Sequence, residues 1–241
     1  MGGLRPLGAE RLWVLALLAP TLLGLVLGTF GAIFATLGLS VFDWDLLTRP
    51  EFVGLQNYAE LPESRLFGKA LWNTVRFSAL YVPLVMILSF AVALVLNRGV
   101  RGEALFRVLY FLPVVSLPTA VGLLWVWIYS EDNGALNAIL GVFGVEPVKW
   151  LGAKMVLWSV VIANVWGAIG EGMIIFLAGL QAIPKEHYEV ARLDGATFWQ
   201  RLRFVTLPAM APSLFFQAVL ATIHAFQAFD YIYILTRTGN G

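Results

Sequence analysis

The 241-residue sequence has no cysteine, only two histidines and few charges; Asp, Glu, Lys and Arg together make up 13% of it. Without cysteine there is neither a disulfide framework nor a thiolate metal site. His187 and His224 alone cannot assemble a histidine-rich metal site, so no metal ligands are assigned. No G-x-x-x-x-G-K-S/T segment occurs, so the chain has no P-loop. If ATP drives its work, the ATPase is another chain. No catalytic constellation stands out, and a net charge of +1 gives no sign of a nucleic-acid partner.

The shortage of charge is the most informative of these absences. A soluble domain carries about 25% charged residues, whereas this chain is 59% hydrophobic. Five runs are long enough to cross a bilayer, which takes about 20 apolar residues. Residues 12–42, 77–96, 108–130 and 204–229 carry no charge, and residues 155–184 carry Glu171 and no other before Pro184. Such runs are too long for barrel strands, so the expected class is all-α: a polytopic bundle of transmembrane helices. A signal peptide is the alternative for the first run, with Arg5 and Arg11 as its basic flank. Its apolar part is about twice the usual length, and no clear A-x-A site follows. Pro83, Pro113 and Pro118 are expected to kink or begin spans, and Gly24 with Gly28 forms a G-x-x-x-G pair suited to close helix packing.

Lys and Arg near the span ends set the orientation. With the amino terminus inside, the inner segments hold nine bases (Arg5, Arg11, Arg98, Arg101, Arg107, Lys185, Arg192, Arg201 and Arg203) against five acids. The outer segments hold seven bases against eight acids. The amino terminus is therefore expected on the inside.

Residues 183–208 hold seven charges between two apolar runs. They read as two short helices with a turn between them. Pro184 suits a first helical position, Asp194-Gly195 is turn chemistry, Thr197 with Gln200 fits a capping box, and Leu207-Pro208 closes the stretch. A solvated connector is one reading. Against it, Tyr188, Leu193, Phe198, Trp199 and Phe204 put more apolar surface on the loop than open water favours, which points to a protein partner.

Two spans carry polar side chains in register: Asn164, Gly167, Ala168, Glu171 and Ala178 on the fourth, and Gln217, His224, Gln227 and Tyr231 on the fifth, with Asp230 at its edge. A charge at mid-membrane costs about 2.5–3.5 kcal/mol on insertion scales, so such groups face a cavity or a partner. A polar pathway wall and plain interhelical hydrogen bonding are both consistent with the register. An ion-coupled carrier, or an intramembrane enzyme using Glu171, Asp230 and His224, are further alternatives.

Glu189-Val190-Ala191, Asp194-Gly195-Ala196 and Leu207-Pro208 together resemble the E-A-A…D-G-A…L-P loop of ABC importer permeases. Val53-Gly54-Leu55-Gln56-Asn57-Tyr58, Phe106-Arg107 with Phe111-Leu112-Pro113, Leu177-Ala178-Gly179-Leu180-Gln181 before Ile183-Pro184, and the segment from Phe229 to Thr236 resemble the sugar-uptake branch, of the maltose, multiple-sugar and glycerol-phosphate type. The likeness implies a transmembrane permease that moves a sugar delivered by an extracytoplasmic binding protein, in the cytoplasmic (inner) membrane of a bacterium or archaeon. It also implies a second permease, surrounding membrane lipid, and a cytoplasmic ABC ATPase dimer that holds the ATP and Mg, with no cofactor on this chain. Residues 184–208 would form the coupling loop, with Glu189, Ala191, Asp194, Gly195, Ala196, Leu207 and Pro208 as its signature. Substrate-pathway candidates are Asn164, Glu171, Gln217, His224, Gln227 and Tyr231. Two departures stand out. Val190 replaces the first alanine of the motif, and the sixth span expected of the family is missing, as if residues 1–241 were a C-terminally truncated transmembrane domain.

Overall fold

The computed structural model describes residues 7–238, with side chains from 12 to 237. Arg5 and residues 239–241, with the side chains of Glu10 and Arg11, lie outside the described residues. Helix dominates the rest, as lipid requires of a backbone that must satisfy its own polar groups. The chain forms two units, Met1–Leu71 and Trp72–Gly241.

In the first unit, α1 (Leu7–Gly24) runs through a π-helical stretch, Leu25–Phe30, into α2 (Gly31–Leu39). Leu12–Leu39 is a 28-residue candidate span with no buried residue. Nothing lies within 4 Å of a Cβ built on Gly24 or Gly28, so the pair packs on no described residue. A hairpin of β1 (Phe42–Asp43) and β2 (Glu51–Phe52) follows, Phe42 opposite Phe52 with their rings edge to face. Inside it, the Asp45 carboxylate accepts from the Thr48 N–H at 2.7 Å, the Thr48 hydroxyl at 2.7 Å and the Leu47 N–H at 2.9 Å. Those donors favour the anion and hold its pKa down at about 2. Gly54 turns the chain at φ +60° into α3 (Gln56–Glu60). There Asn57 donates to the carbonyls of Ser40 and Phe42, at 2.9 and 3.0 Å. Tyr58 meets the Ser40 hydroxyl at 2.7 Å. The V-G-L-Q-N-Y segment is thus a turn with a side-chain latch back onto the end of the first helix. A short 3-10 turn, Leu61–Glu63, precedes α4 (Arg65–Leu96).

The second unit is built around α8 (Val156–Gln181). Its first half packs with Phe77, Tyr81 and Val85 of α4 and with Tyr129, Ala221, Ala225 and Leu235. Its second half packs with Ala93, Leu96, Ile183 and Met210. Glycine brings its neighbours close. A Cβ on Gly170 would stand 2.1 Å from the Tyr110 carbonyl oxygen of α5 (Glu103–Val115). A Cβ on Gly172 would stand 2.6 Å from Ser89 Oγ of α4. Ser89 in turn donates to the Ile169 carbonyl at 3.1 Å. Small residues at such crossings are how helices associate where lipid removes the hydrophobic drive.

Among the described residues, three helices are long and apolar enough to cross a membrane: Leu12–Leu39, Arg65–Leu96 and Val156–Gln181. The other two expected spans are not straight. Residues 108–130, expected as one helix, fall into α5 and α6 (Pro118–Ile128), which meet at 101°. Pro118 forces the preceding residue out of the helical region, and Leu117 is extended at ψ 120°. The fifth expected span is bent by 71° at Met210, before α12 (Ala211–Gln227). Pro212 has no N–H for the Pro208 carbonyl, which removes a helical bond there. The polar register placed Tyr231 on that same span. The span stops at Gln227, Ala228 is extended, and Asp230 opens a separate helix, α13 (Asp230–Thr238).

The segment after α6 is organised by one side chain on α7 (Ala135–Val142). Buried Asn137 donates to the Glu131 and Val148 carbonyls, each at 3.0 Å. Its Oδ1 accepts from the Val148 N–H at 3.0 Å and from the Trp150 indole at 2.9 Å. Each buried partner left without a bond costs about 1–3 kcal/mol. Asn137→Ala is therefore expected to destabilise the purified protein by several kcal/mol, read as a lowered thermal midpoint in detergent. An unchanged midpoint would show that the segment does not depend on this hub.

Candidate functional site

A cavity of about 410 Å³ opens beside α8. Its wall brings together Asn164 and Glu171 of α8, His224 and Gln227 of α12, and Tyr231 of α13, five of the six pathway candidates. Tyr81 of α4 and Ser116 at the α5–α6 break add to the polar part. Glu171 lies close to the midpoint of α8, and its Oε2 stands 3.5 Å from His224 Nδ1. Both side chains are about one third exposed or more. Asn164 donates one amide hydrogen to the Val160 carbonyl at 2.8 Å. Gly167 makes room for the Tyr231 phenol, whose oxygen would be 3.2 Å from a Cβ there.

Gln217 is the exception. It is 2% exposed, off the cavity, and its amide nitrogen stands 3.0 Å from the Cβ position of Gly172. Its position belongs to the α8–α12 packing seam. A single helical wheel drawn from Gln217 to Tyr231 treats Ala228 and Phe229 as helix, and they are not. Asp230 also lines the cavity, from the first turn of α13 rather than from the end of the fifth span. The sequence register missed Tyr81, which sits in an uncharged run and carried no pathway signal of its own.

Residues 184–208 fold largely as expected. The first helix is α9 (Lys185–Leu193), with Pro184 at its N-cap rather than its first turn. Its end explains the D-G-A triplet. Gly195 is left-handed at φ +73°, the Gly195 N–H donates to the Arg192 carbonyl at 3.0 Å, and the Ala196 N–H donates to the Ala191 carbonyl at 2.9 Å. That is the Schellman pair of bonds, which turns a helix end sharply and favours glycine at this position. Thr197 caps α10 (Phe198–Arg201) with the full capping box: Gln200 N–H donates to Thr197 Oγ1, and Thr197 N–H to Gln200 Oε1. Arg201 donates to the Ala196 carbonyl at 2.7 Å, bracing the turn from the far side. A π-helical stretch, Leu202–Thr206, leads into α11 (Leu207–Ala209). The Tyr188 hydroxyl meets Thr206 Oγ1 at 3.1 Å, tying α9 to that stretch.

The loop exposes large apolar side chains among its charges. Leu193 is 88% exposed and Trp199 73%, with Val190 and Phe204 also open. Glu189 is exposed and forms no hydrogen bond or ion pair among the described residues. Arg98, from the short connection between α4 and α5, lies over the Phe198 ring at 5.0 Å. That connection is therefore attached to residues 184–208 and not merely near them. Among the described residues, no three His, Asp or Glu side chains gather as metal ligands.

Comparison with known proteins bears on the fold and the family. Residues 85–241 match the family model described as "Binding-protein-dependent transport system inner membrane component". The chain is 36% identical over 232 residues to the trehalose/maltose transport system permease protein MalF of Thermococcus litoralis, covering 95% of this chain and 77% of that protein. It is 35% identical over 197 residues to the lactose transport system permease protein LacF of Rhizobium radiobacter, covering 79% and 65%. Among solved structures, a bacterial ABC transporter involved in the import of the acidic polysaccharide alginate superposes with a TM-score of 0.79 at 25% identity, over 95% of this chain and 80% of that one.

Proposed function

Because the chain belongs to the family of binding-protein-dependent transport system inner membrane components, we propose that it forms one half of a sugar-conducting pathway driven by separate ATPase subunits. It is a multi-pass permease subunit of an ATP-driven importer, a transporter component rather than an enzyme. Sugar as the cargo is supported by relatives whose names carry maltose, trehalose and lactose. A binding protein as the delivering partner is supported by a second solved neighbour, an alginate transporter in complex with a pentasaccharide-bound periplasmic protein, with a TM-score of 0.78 at 23% identity.

The observation that carries the mechanism is the pairing of one polar cavity beside α8 with one rigid loop that exposes large apolar side chains. The loop, residues 184–208, docks on the ATPase dimer through Glu189, Ala191 and the Asp194-Gly195-Ala196 turn. Leu207-Pro208 returns the chain to the membrane. The cavity wall of Asn164, Glu171, His224, Gln227 and Tyr231 conducts the solute, and a second permease supplies the facing wall. ATP and Mg reside on the ATPase. The amino terminus faces the cytoplasm, on the side where nine of the sixteen bases are expected.

The complete assembly, reconstituted in vesicles, tests this. Uptake of maltose or lactose is expected to require both ATP and the binding protein, and to fall to background without either. Uptake that persists on an ion gradient without ATP would make the chain an ion-coupled carrier instead.

A further inference from the structure

Opposite charges dominate the loops of this chain, but the cavity is different: among the described residues that line it there is no lysine and no arginine. Its ionisable groups are Glu171, Asp230, His224 and the phenols Tyr81 and Tyr231. With His224 neutral, the two carboxylates give this wall a charge of −2. With His224 protonated beside Glu171, Asp230 still leaves it at −1. No protonation state of the histidine makes it positive while the carboxylates are ionised. A carboxylate or phosphate on a solute seated against this wall would meet like charge well within the Debye length of about 8–10 Å, where salt does not remove the repulsion. No cation on this wall offers the bidentate contact by which such groups are held.

The remaining groups suit hydroxyls. Glu171 accepts hydrogen bonds in pairs, the amides of Asn164 and Gln227 both donate and accept, and the Tyr231 phenol does either. We infer that this wall selects neutral or cationic polyhydroxylated solutes and rejects acidic sugars, with Glu171 and Asp230 as the residues that set the charge preference. The inference rests on the cavity being the sugar path.

The test is equilibrium binding to the purified transporter complex without its binding protein, whose own selectivity would otherwise intrude. The probes are maltose, lactose and xylobiose, each beside its singly oxidised uronic form. The wild-type complex is expected to bind the neutral member of at least one pair about tenfold or more tightly than its acid. In Glu171→Gln/Asp230→Asn the gap is expected to close to within about threefold, because the like charges are gone. Asp230→Asn alone, at an exposed position, narrows the gap part of the way and guards against misfolding of the double variant. Equal binding of acid and neutral forms by the wild type overturns the inference and leaves the sugar path standing. So does a gap that survives in an intact double variant. If no probe of either kind binds the wild type or either variant, the sugar-path reading fails and the inference falls with it.

Discussion

Replacing Gly170 with leucine is expected to abolish recovery of folded protein. Even Gly170→Ala should cost about 3 kcal/mol or more. The reason is what a Cβ would strike. It would stand 2.1 Å from the Tyr110 carbonyl oxygen, 2.8 Å from its carbon and 3.0 Å from Phe111 Cα. All three are backbone atoms of α5, which cannot swing aside as a flexible side chain can. Overpacking a tight core typically costs about 1–3 kcal/mol and sometimes more, and here a whole helix must shift. Gly141→Ala is the matched control. It also lies in a helix, yet nothing is within 4 Å of its Cβ position. There the change should be neutral or slightly stabilising, by about 0.5–1 kcal/mol, because glycine weakens a helix interior. Size-exclusion profiles and melting of the detergent-purified proteins read the difference. Equal melting of Gly170→Ala and wild type would mean that α5 and α8 are not pressed together there.

The second large effect is expected at Glu189. Lysine at this exposed position should leave expression and melting unchanged, since the side chain forms no hydrogen bond or ion pair among the described residues. Association with the ATPase should nevertheless weaken about 30-fold or more, and transport should fall in step. Reversing a charge within a docked interface removes one attraction and adds a repulsion, an effect of several kcal/mol. Gly195→Val is the companion variant. At φ +73° a side chain costs about 1–2 kcal/mol of local strain, and a branched one costs more. The Schellman turn that sets the angle between α9 and α10 should open, so coupling fails through shape rather than charge. If Glu189→Lys assembles and transports like wild type, residues 184–208 are not the docking element.

What could be read in the sequence is what neighbours in the sequence determine. The Thr197–Gln200 box and the Asp194-Gly195 turn depend on residues no more than five apart, and both stand as expected. The three straight spans follow from run length alone. What escaped is set by partners far along the chain. Pro118 was visible as a helix start, but the 101° between α5 and α6 depends on what each packs against. The break at Ala228-Phe229 has no glycine or proline to announce it, and this is why Gln217 and Tyr231 looked like neighbours on one helical face. Asn137 gave no signal either, since a lone asparagine in an outer segment reads as ordinary surface. Even the cavity was half legible. The register of Asn164, Glu171 and His224 was correct, while Tyr81 and Asp230 came to it from other helices.

The break between α5 and α6 has a consequence for hydration. Ser116 and Leu117 are both extended, so the last carbonyls of one helix and the first amides of the next lack helical partners. Ser116, Pro113 and Pro118 line the cavity. Irregular backbone at membrane depth is tolerated only where protein covers it or water reaches it. If the cavity is the solute path, water is expected to satisfy these groups when it is empty, and an entering solute would trade places with that water rather than open a dry slot. Sugar hydroxyls, which hydrogen-bond as water does, can take over those bonds one for one.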